Sequence, residues 1–214
     1  MSTRRFVITN KTELRNALKN SEAFVALAKQ NNYEALIFPL AAFASGNTRS
    51  KLVHLKQLAL KQGIALEAGG WDLSSLLPRW YFFFQRDSFR MEGGRRKKDH
   101  HFCPTSLTAL KIIEKTGKKL FWAAAGIEVF HLWSDKGAET AWCSCPTCRA
   151  FTPQEQNRIA VNAAADVLSA INPNASITYL EKPNEPGNVP LRKNIVMLEN
   201  LIVDSQTMKK ESFN

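Results

Sequence analysis

Short apolar runs alternate with longer stretches of helical periodicity along most of this chain. In the helical stretches, apolar residues recur at three- and four-residue spacing, which is typical of a helix with one buried face. The apolar runs are rich in β-branched and aromatic residues, as buried strands are. They occupy residues 6–9, 35–40, 64–68, 127–133, 177–181 and 195–203. Strands that alternate with helices favour parallel pairing, so we predict an α/β fold with six parallel strands.

Helix starts are marked by capping residues. Thr152, Pro153 and Glu155 combine an N-cap, a first-turn proline and a glutamate at the third position. Asn10 and Glu13 form a similar pair at the start of a helical stretch that runs to about residue 30, with a break near residue 20. Both positions therefore predict well-defined helix N-termini.

Two other helical stretches, over residues 50–63 and 104–117, each reach a glycine that is expected to end the helix. Residues 73–90 have no clear period, and Pro78 interrupts them. Five consecutive aromatic residues, 80–84, make this segment too apolar for an ordinary exposed loop. We predict short helical turns here, packed in the core or lining a cleft.

Composition indicates one globular domain. The chain has 214 residues, 44% of them hydrophobic and 22% charged, and no apolar run reaches the roughly 18 residues of a membrane span. The N-terminus lacks the apolar core of a signal peptide, so we expect a cytoplasmic protein. The net charge of +10 admits an anionic glycan or nucleic acid, but the cations are spread along the chain. We assign residues 1–204 to the domain and 205–214 to a frayed tail.

Polar residues follow three of the predicted strands where each strand ends. Trp71 and Asp72 come after the glycine pair 69–70, Asp135 follows the fourth strand, and Glu181 closes the fifth. Because the carboxyl ends of parallel strands meet on one face, these residues are expected to converge there. The competing interpretation is a set of solvated turns. There is no GxGxxG motif and no phosphate-binding loop, so a nucleotide fold has little support.

Three cysteines lie within six residues, and a fourth lies upstream. Four thiolates can hold a structural zinc ion in a tetrahedron. Two disulfides or four free thiols are the alternatives. The residues are Cys103, Cys143, Cys145 and Cys148.

Three segments together resemble successive motifs of a bacterial glycoside-hydrolase-like barrel family, known mainly as a domain of unknown function. They read EAGGWDLSSLLP, FRMEGGRRKKDHHFCPTS and HLWSDKGAETAWCSCPTC. The family looks distantly similar to the β-hexosaminidases and α-glucuronidases, and some of its members are secreted. The resemblance runs from about residue 6 to residue 204.

What the resemblance implies is a TIM-barrel-like (β/α)8 fold that acts on or binds carbohydrate. Only six of the eight strands are evident, so the barrel is expected to be incomplete or completed by a second chain. Hexosaminidase-like enzymes carry an Asp-Glu pair at the exit of the fourth strand, whereas here Lys136 follows Asp135. Asp135 is our first catalytic candidate, and Glu181 or Glu139 is the candidate for its carboxylate partner.

The remaining candidates are expected to bind substrate. Trp71, Trp133 and Trp142 are predicted platforms for sugar rings, with Asp72 beside them, and Arg90, Arg95 and His101 are predicted hydrogen-bond donors to an acidic or N-acetylated sugar. We expect Asp135 at the floor of a cleft rimmed by Trp71, Trp142, Arg95 and His101.

Three function classes remain at this point. They are a glycoside hydrolase, a non-catalytic carbohydrate-binding barrel, and a basic zinc-containing nucleic-acid binder. The last has the least support, because no recognition module is present.

Overall fold

A parallel sheet covered by helices dominates the computed structural model, which describes residues 4–180, 187–198 and 202–204. The sheet strands are β1 (Arg4–Val7), β2 (Ala35–Phe38), β3 (Ala65–Gly70), β6 (Val129–Leu132), β7 (Ser176–Tyr179), β8 (Ile195–Met197) and β9 (Ile202–Asp204). A separate antiparallel hairpin contains β4 (Met91–Glu92) and β5 (Arg95–Arg96). The helices are α1 (Lys11–Lys19), α2 (Ser21–Gln30), α3 (Leu40–Ala44), α4 (Gly46–Lys61), α5 (Leu107–Ala123) and α6 (Pro153–Ile171).

The sheet order is β8-β7-β6-β3-β2-β1-β9, and every neighbouring pair is parallel. The predicted α/β fold is therefore confirmed. The predicted sixth strand, over residues 195–203, is two strands that pair at opposite edges of the sheet. Within the described residues, no ladder joins β8 to β9, so the sheet is not closed.

The sheet must nevertheless curl. Met197 and Ile202 are five residue steps apart in the chain, which can span at most about 18 Å. The outer strands of a flat seven-stranded sheet would lie about 29 Å apart. Strands at opposite ends of the order are therefore brought round toward each other, as in a barrel.

Alternate residues of each strand point to opposite faces of the sheet, an outer face toward the helices and an inner face. The outer face packs against the helices through residues such as Phe6, Leu36 and Phe130, which belong to the main apolar core. The inner face holds a smaller apolar cluster of Val7, Ile37 and Trp133. A buried polar group lies on the same inner face and contains Arg5, Glu67, His131 and Thr178.

Several predicted element boundaries are confirmed. Asn10 caps α1 by accepting a hydrogen bond from the backbone N–H of Glu13. Thr152 and Glu155 form the predicted capping box at the start of α6. The irregular segment after β3 contains three short 3₁₀ turns, Leu73–Leu76, Arg79–Phe83 and Arg86–Ser88.

Other details of the prediction are wrong. Helix α4 begins at Gly46 rather than Ser50, and α5 continues six residues past Gly117 to Ala123. Gly117 lies in the close contact between α5 and α6, where an added Cβ would be 3.3 Å from Val167 Cγ1. This glycine serves helix packing and does not end the helix. Phe84 is 76% exposed, so the aromatic segment is not wholly packed into the core.

Candidate functional site

A cavity of about 370 Å³ lies at the carboxyl ends of the first four strands of the sheet, β1, β2, β3 and β6. Its walls include Thr9 after β1, Pro39 after β2, Trp71 and Asp72 after β3, and Asp135 after β6. We call it the Asp135 cavity. The strand exits thus bring together three residues that the sequence predicted for one site: Trp71, Asp72 and Asp135.

Asp72 is held in place by the start of α3. Its Oδ2 accepts a hydrogen bond of 2.9 Å from the backbone N–H of Leu40. Burial raises the pKa of Asp72 above its usual range, and the negative charge of Asp135 adds to this effect, against the opposing hydrogen bonds from Leu40 and Ser75. Asp72 and Asp135 are therefore close enough to interact electrostatically in one cavity.

Asp135 is partly accessible, with 17% of its side chain exposed. Its Oδ2 lies 3.7 Å from Nδ1 of His100. The neighbouring Lys136 extends its ammonium group over the indole ring of Trp71, 5.2 Å from the ring centroid. A cation therefore follows Asp135 at the position where the resemblance to hexosaminidase-like enzymes led us to expect a second acid, and it also lines the cavity.

The two glycines before Trp71 have a backbone role. Gly69 has φ of +107°, and a Cβ built on it would stand 1.9 Å from the carbonyl oxygen of His131. Glycine at such a position lets another group approach the backbone closely. The group that approaches is the neighbouring strand β6.

Five of the seven predicted substrate-binding residues do not line the Asp135 cavity, namely Arg90, Arg95, His101, Trp133 and Trp142. Arg90 is only 3% exposed, and its guanidinium group holds Asp99 through hydrogen bonds of 2.9 and 2.5 Å. Arg95 lies exposed on the β4–β5 hairpin. The expected cleft rim of Trp142, Arg95 and His101 is therefore not what surrounds Asp135.

His101 and Trp142 instead form a buried stack. Their rings are 8° from parallel with centroids 4.2 Å apart, and His101 is fully buried. Burial lowers the pKa of His101, so a neutral ring donates from Nε2 to the carbonyl oxygen of Ala138 at 2.8 Å. This pair fixes the loop that follows Asp135.

Trp133 is also buried, and its indole N–H donates to Thr178 Oγ1 at 3.0 Å. It lines a separate small cavity together with Glu139. Glu181 lies outside the described residues, so its predicted catalytic role stays a prediction.

The four cysteines converge as predicted. All four Sγ atoms lie within 4.8 Å of one another, and all four residues are buried. Cys103 Sγ is 3.8 Å from Cys145 Sγ and 3.6 Å from Cys148 Sγ, far beyond the roughly 2.05 Å of a disulfide. Four sulfurs at 2.3 Å around a tetrahedral zinc ion stand about 3.8 Å apart. The distances therefore fit a metal site and contradict the disulfide alternative.

Polar groups surround this cysteine cluster. The backbone N–H of Met91 approaches Cys143 Sγ at 3.3 Å, and Thr105 Oγ1 lies 3.1 Å from Cys148 Sγ. Gln156 at the start of α6 accepts from the backbone N–H of Cys143 and donates to the carbonyl oxygens of Cys143 and Cys148. The cluster thus joins the β4–β5 hairpin, the loop after β6 and the start of α6.

Sequence reasoning missed two residues near Asp135. Arg79 donates to the carbonyl oxygens of His100 and Ser74, and the charge of Asp135 favours its protonated form although burial lowers its pKa. His100 is the other. Both belong to the irregular insertion between β3 and α5, where no periodicity indicates which side chains turn toward the sheet.

No family model and no curated protein sequence matches this chain. Solved structures do. The tandem GH20 catalytic modules of the pneumococcal exo-β-D-N-acetylglucosaminidase StrH match 92% of this chain with a TM-score of 0.60 and 11% identity. A β-N-acetylhexosaminidase from Bacteroides fragilis matches 92% with 0.56 and 13%, and an O-GlcNAc hydrolase from Thermobaculum terrenum matches 92% with 0.53 and 11%.

These likenesses establish a fold like that of glycoside hydrolase barrels. The chain spans 58%, 45% and 39% of the three matched chains, respectively. Among the described residues, no helix is long and apolar enough to cross a bilayer.

Proposed function

We propose that this protein is a glycoside hydrolase in which Asp135 and Asp72 provide the two carboxyl groups. The observation that carries the proposal is that both residues, from the exits of adjacent strands β3 and β6, line one cavity with Trp71. Glycoside hydrolysis needs an acid that protonates the leaving oxygen and a carboxylate that acts on the opposite side of the reacting carbon.

The environments of the two residues support a division of roles. Asp72 has a raised pKa, so it is the acid and protonates the leaving oxygen. Asp135, with 17% of its side chain exposed, is the carboxylate that stabilises the developing positive charge or activates a water molecule. Trp71 supplies an apolar surface for the sugar ring. Lys136, whose ammonium group lies over the Trp71 indole, donates hydrogen bonds to hydroxyl groups of the sugar.

The three matched enzymes are described as acting on N-acetylglucosaminides, N-acetylhexosaminides and O-GlcNAc. We take an N-acetylated sugar as the first substrate class to test and an acidic sugar as the second. Arg90 and His101, which motivated the acidic alternative, are buried away from the cavity. The acidic sugar is still supported by Lys136, because this cation lines the cavity.

A non-catalytic carbohydrate-binding role is the second candidate. The observation that favours it is the hydrogen bond from Leu40 to Asp72, because a carboxyl group that caps α3 can be there for structure alone. In that case the cavity binds sugar without turnover.

The test is turnover of 4-nitrophenyl β-N-acetylglucosaminide and 4-nitrophenyl α-glucuronide by the wild type, Asp135→Asn and Asp72→Asn. We expect each substitution to lower kcat by about 100-fold or more, the usual contribution of a positioned acid or base. Asp166→Asn, at an exposed ion pair with Arg192, is the control and should keep full activity. Turnover that survives both cavity substitutions rules out this mechanism, and sugar binding without turnover selects the binding role.

We further propose that the cysteine cluster holds a structural zinc ion. All four positions of the tetrahedron are taken by protein sulfurs, so such an ion would have no open position for substrate. Its contribution would be to fix the loop between Asp135 and α6.

A further inference from the structure

A second cavity, of about 160 Å³, shares Trp71 with the Asp135 cavity. We call it the Asn157 cavity. Its apolar side is formed by Trp71 and Trp133, which meet edge to face with ring centroids 5.1 Å apart. Its polar side is formed by Ser134, Gln154, Asn157 and Glu139. The two cavities are neighbours, because Trp71 lines both of them and Ser134 of the Asn157 cavity directly precedes Asp135 of the other cavity.

The polar side comes from an unusual helix start. The first turn of α6 buries four consecutive polar residues, 154–157. Two of them stabilise the fold. Glu155 completes the capping box, and Gln156 forms hydrogen bonds with the backbone of Cys143. Gln154 and Asn157 make no side-chain hydrogen bond to any residue that the structure describes, although both line the cavity.

Two buried oxygen atoms point to a missing partner. Asn157 is 4% exposed and Ser134 is 7% exposed, and neither Asn157 Oδ1 nor Ser134 Oγ has a hydrogen-bond partner among the described residues. Buried polar atoms in folded proteins are nearly always paired, because an unpaired one costs free energy. A polar ligand or water in this cavity is the expected partner.

The chemistry of the lining selects the ligand class. Two carboxamides and a hydroxyl group can donate to and accept from hydroxyl groups, while the two indoles offer apolar surface to a ring. Among the residues that the structure describes, the lining contains one ionisable side chain, the carboxylate of Glu139, and no cation. This combination suits a neutral sugar ring and disfavours an anionic one.

We propose that the Asn157 cavity is a subsite for a neutral sugar unit, next to the unit bound at the Asp135 cavity. The ligand is then a glycan of at least two rings, one on each cavity, with Trp71 between them. The subsite rests on the proposed carbohydrate function but not on turnover, because none of its polar residues belongs to the carboxyl pair.

The experiment measures affinity for methyl β-N-acetylglucosaminide, which has one ring, and N,N′-diacetylchitobiose, which has two. Calorimetric titrations, all in an Asp135→Asn background so that the sugars are not hydrolysed, compare the otherwise wild-type protein with Asn157→Leu, which keeps the side-chain size and removes the amide. We expect the affinity for the two-ring sugar to fall by about tenfold, the loss expected for one buried hydrogen bond. The control is Asn16→Leu, at an exposed position of α1, which should bind as the wild type does.

A thermal unfolding scan separates this role from a structural one. If Asn157 serves the ligand, Asn157→Leu should have an unchanged or higher Tm, because an unpaired buried amide is removed. A lower Tm with unaltered sugar affinity assigns Asn157 to the fold and overturns the subsite. The subsite is also wrong if the wild type binds neither sugar, or binds the two-ring sugar no better than the one-ring sugar.

The outcomes for the two proposals are distinct. Loss of turnover in Asp135→Asn with unaltered two-ring affinity in Asn157→Leu supports the hydrolase and removes the subsite. Weaker two-ring binding in Asn157→Leu without any wild-type turnover supports the subsite and removes the hydrolase.

Discussion

Nε2 of His131 lies 2.7 Å from Oε2 of Glu67 on the inner face of the sheet. Arg5 donates to the same carboxylate oxygen at 2.8 Å. Burial alone would raise the pKa of Glu67, but hydrogen bonds from His131 and Arg5 outweigh it and leave that pKa lowered. With Glu67 ionised, Nε2 of His131 is the donor, and its Nδ1 accepts from Thr178 Oγ1 at 2.6 Å. Four strands are thus joined by one directional hydrogen-bond chain.

The first prediction concerns the stability that Glu67 provides. Glu67→Ala leaves the buried His131 and the partly buried Arg5 without their shared acceptor, so we expect the free energy of unfolding to fall by about 3–5 kcal/mol. Urea unfolding measures it. Glu114→Ala, at an exposed pair with Lys118 on α5, is the control and should leave the midpoint unchanged. Equal effects from the two substitutions would contradict the buried network.

The second prediction concerns acidification. Burial lowers the pKa of His131, although Glu67 opposes this, so the ring is neutral in the folded protein and gains a proton near pH 6.5 when unfolded. A lowered folded pKa means that stability is present above pH 6.5 and is lost as the pH falls below it. The lowered pKa of Glu67 adds a further loss below about pH 4.5.

Urea unfolding at pH 7.5 and pH 5.5 checks this prediction. The wild type should lose stability at the lower pH, and His131 should contribute at most about 1.4 kcal/mol of this loss for each pH unit below 6.5. His131→Gln, which replaces the ring by an amide that can form hydrogen bonds but does not titrate, should lose less stability between the two pH values. His54→Gln, on the exposed side of α4, should keep the full wild-type loss, and a flat wild-type profile would argue against a buried neutral ring.

The third prediction concerns the close approach of β3 and β6. Gly69→Ala would place a methyl group 1.9 Å from the carbonyl oxygen of His131 and force an unfavourable φ, so we expect loss of soluble folded protein or a much lower Tm. Gly46→Ala is the matched control, because no atom lies within 4 Å of the added Cβ. Its Tm should stay the same or rise slightly.

The fourth prediction concerns the metal. Elemental analysis of the purified protein should give one zinc per chain, and Cys148→Ser should lose it and lower the Tm. Thr147→Ser, at the exposed neighbouring position, should keep the metal. Because the cluster fixes the loop that carries Glu139, zinc removal by a chelator should also weaken sugar binding. Metal-free protein with an unaltered Tm would contradict the structural role.

The strand pattern and helix caps could be predicted from the sequence because they are local. Thr152 and Glu155 bond across three residues, and the apolar runs report burial directly. The end of α5 could not be predicted, because whether Gly117 ends a helix depends on Val167, a residue of a distant helix. The split of residues 195–203 depends on two pairing partners at opposite ends of the sheet.

Of the candidate site, only the residues that directly follow a strand could be predicted from the sequence. Trp71, Asp72 and Asp135 converge because parallel strands end on one face. Arg90 was expected to contact a ligand, but Asp99, nine residues further along the chain, binds its guanidinium group instead. The Asn157 cavity could not be predicted, because a polar run such as 154–157 at a helix start looks solvent-exposed in the sequence, whereas the structure buries it.

The pairing of Arg4 with Ile202 has a consequence for how the chain folds during synthesis. One edge of β1 stays open until the residues of β9 have left the ribosome. Such long-range parallel pairing is slow, and an unpaired strand edge can recruit another chain in the meantime. The nascent protein is therefore most prone to aggregate in the interval before β9 emerges, and its yield should depend on chaperones that bind the chain during that interval.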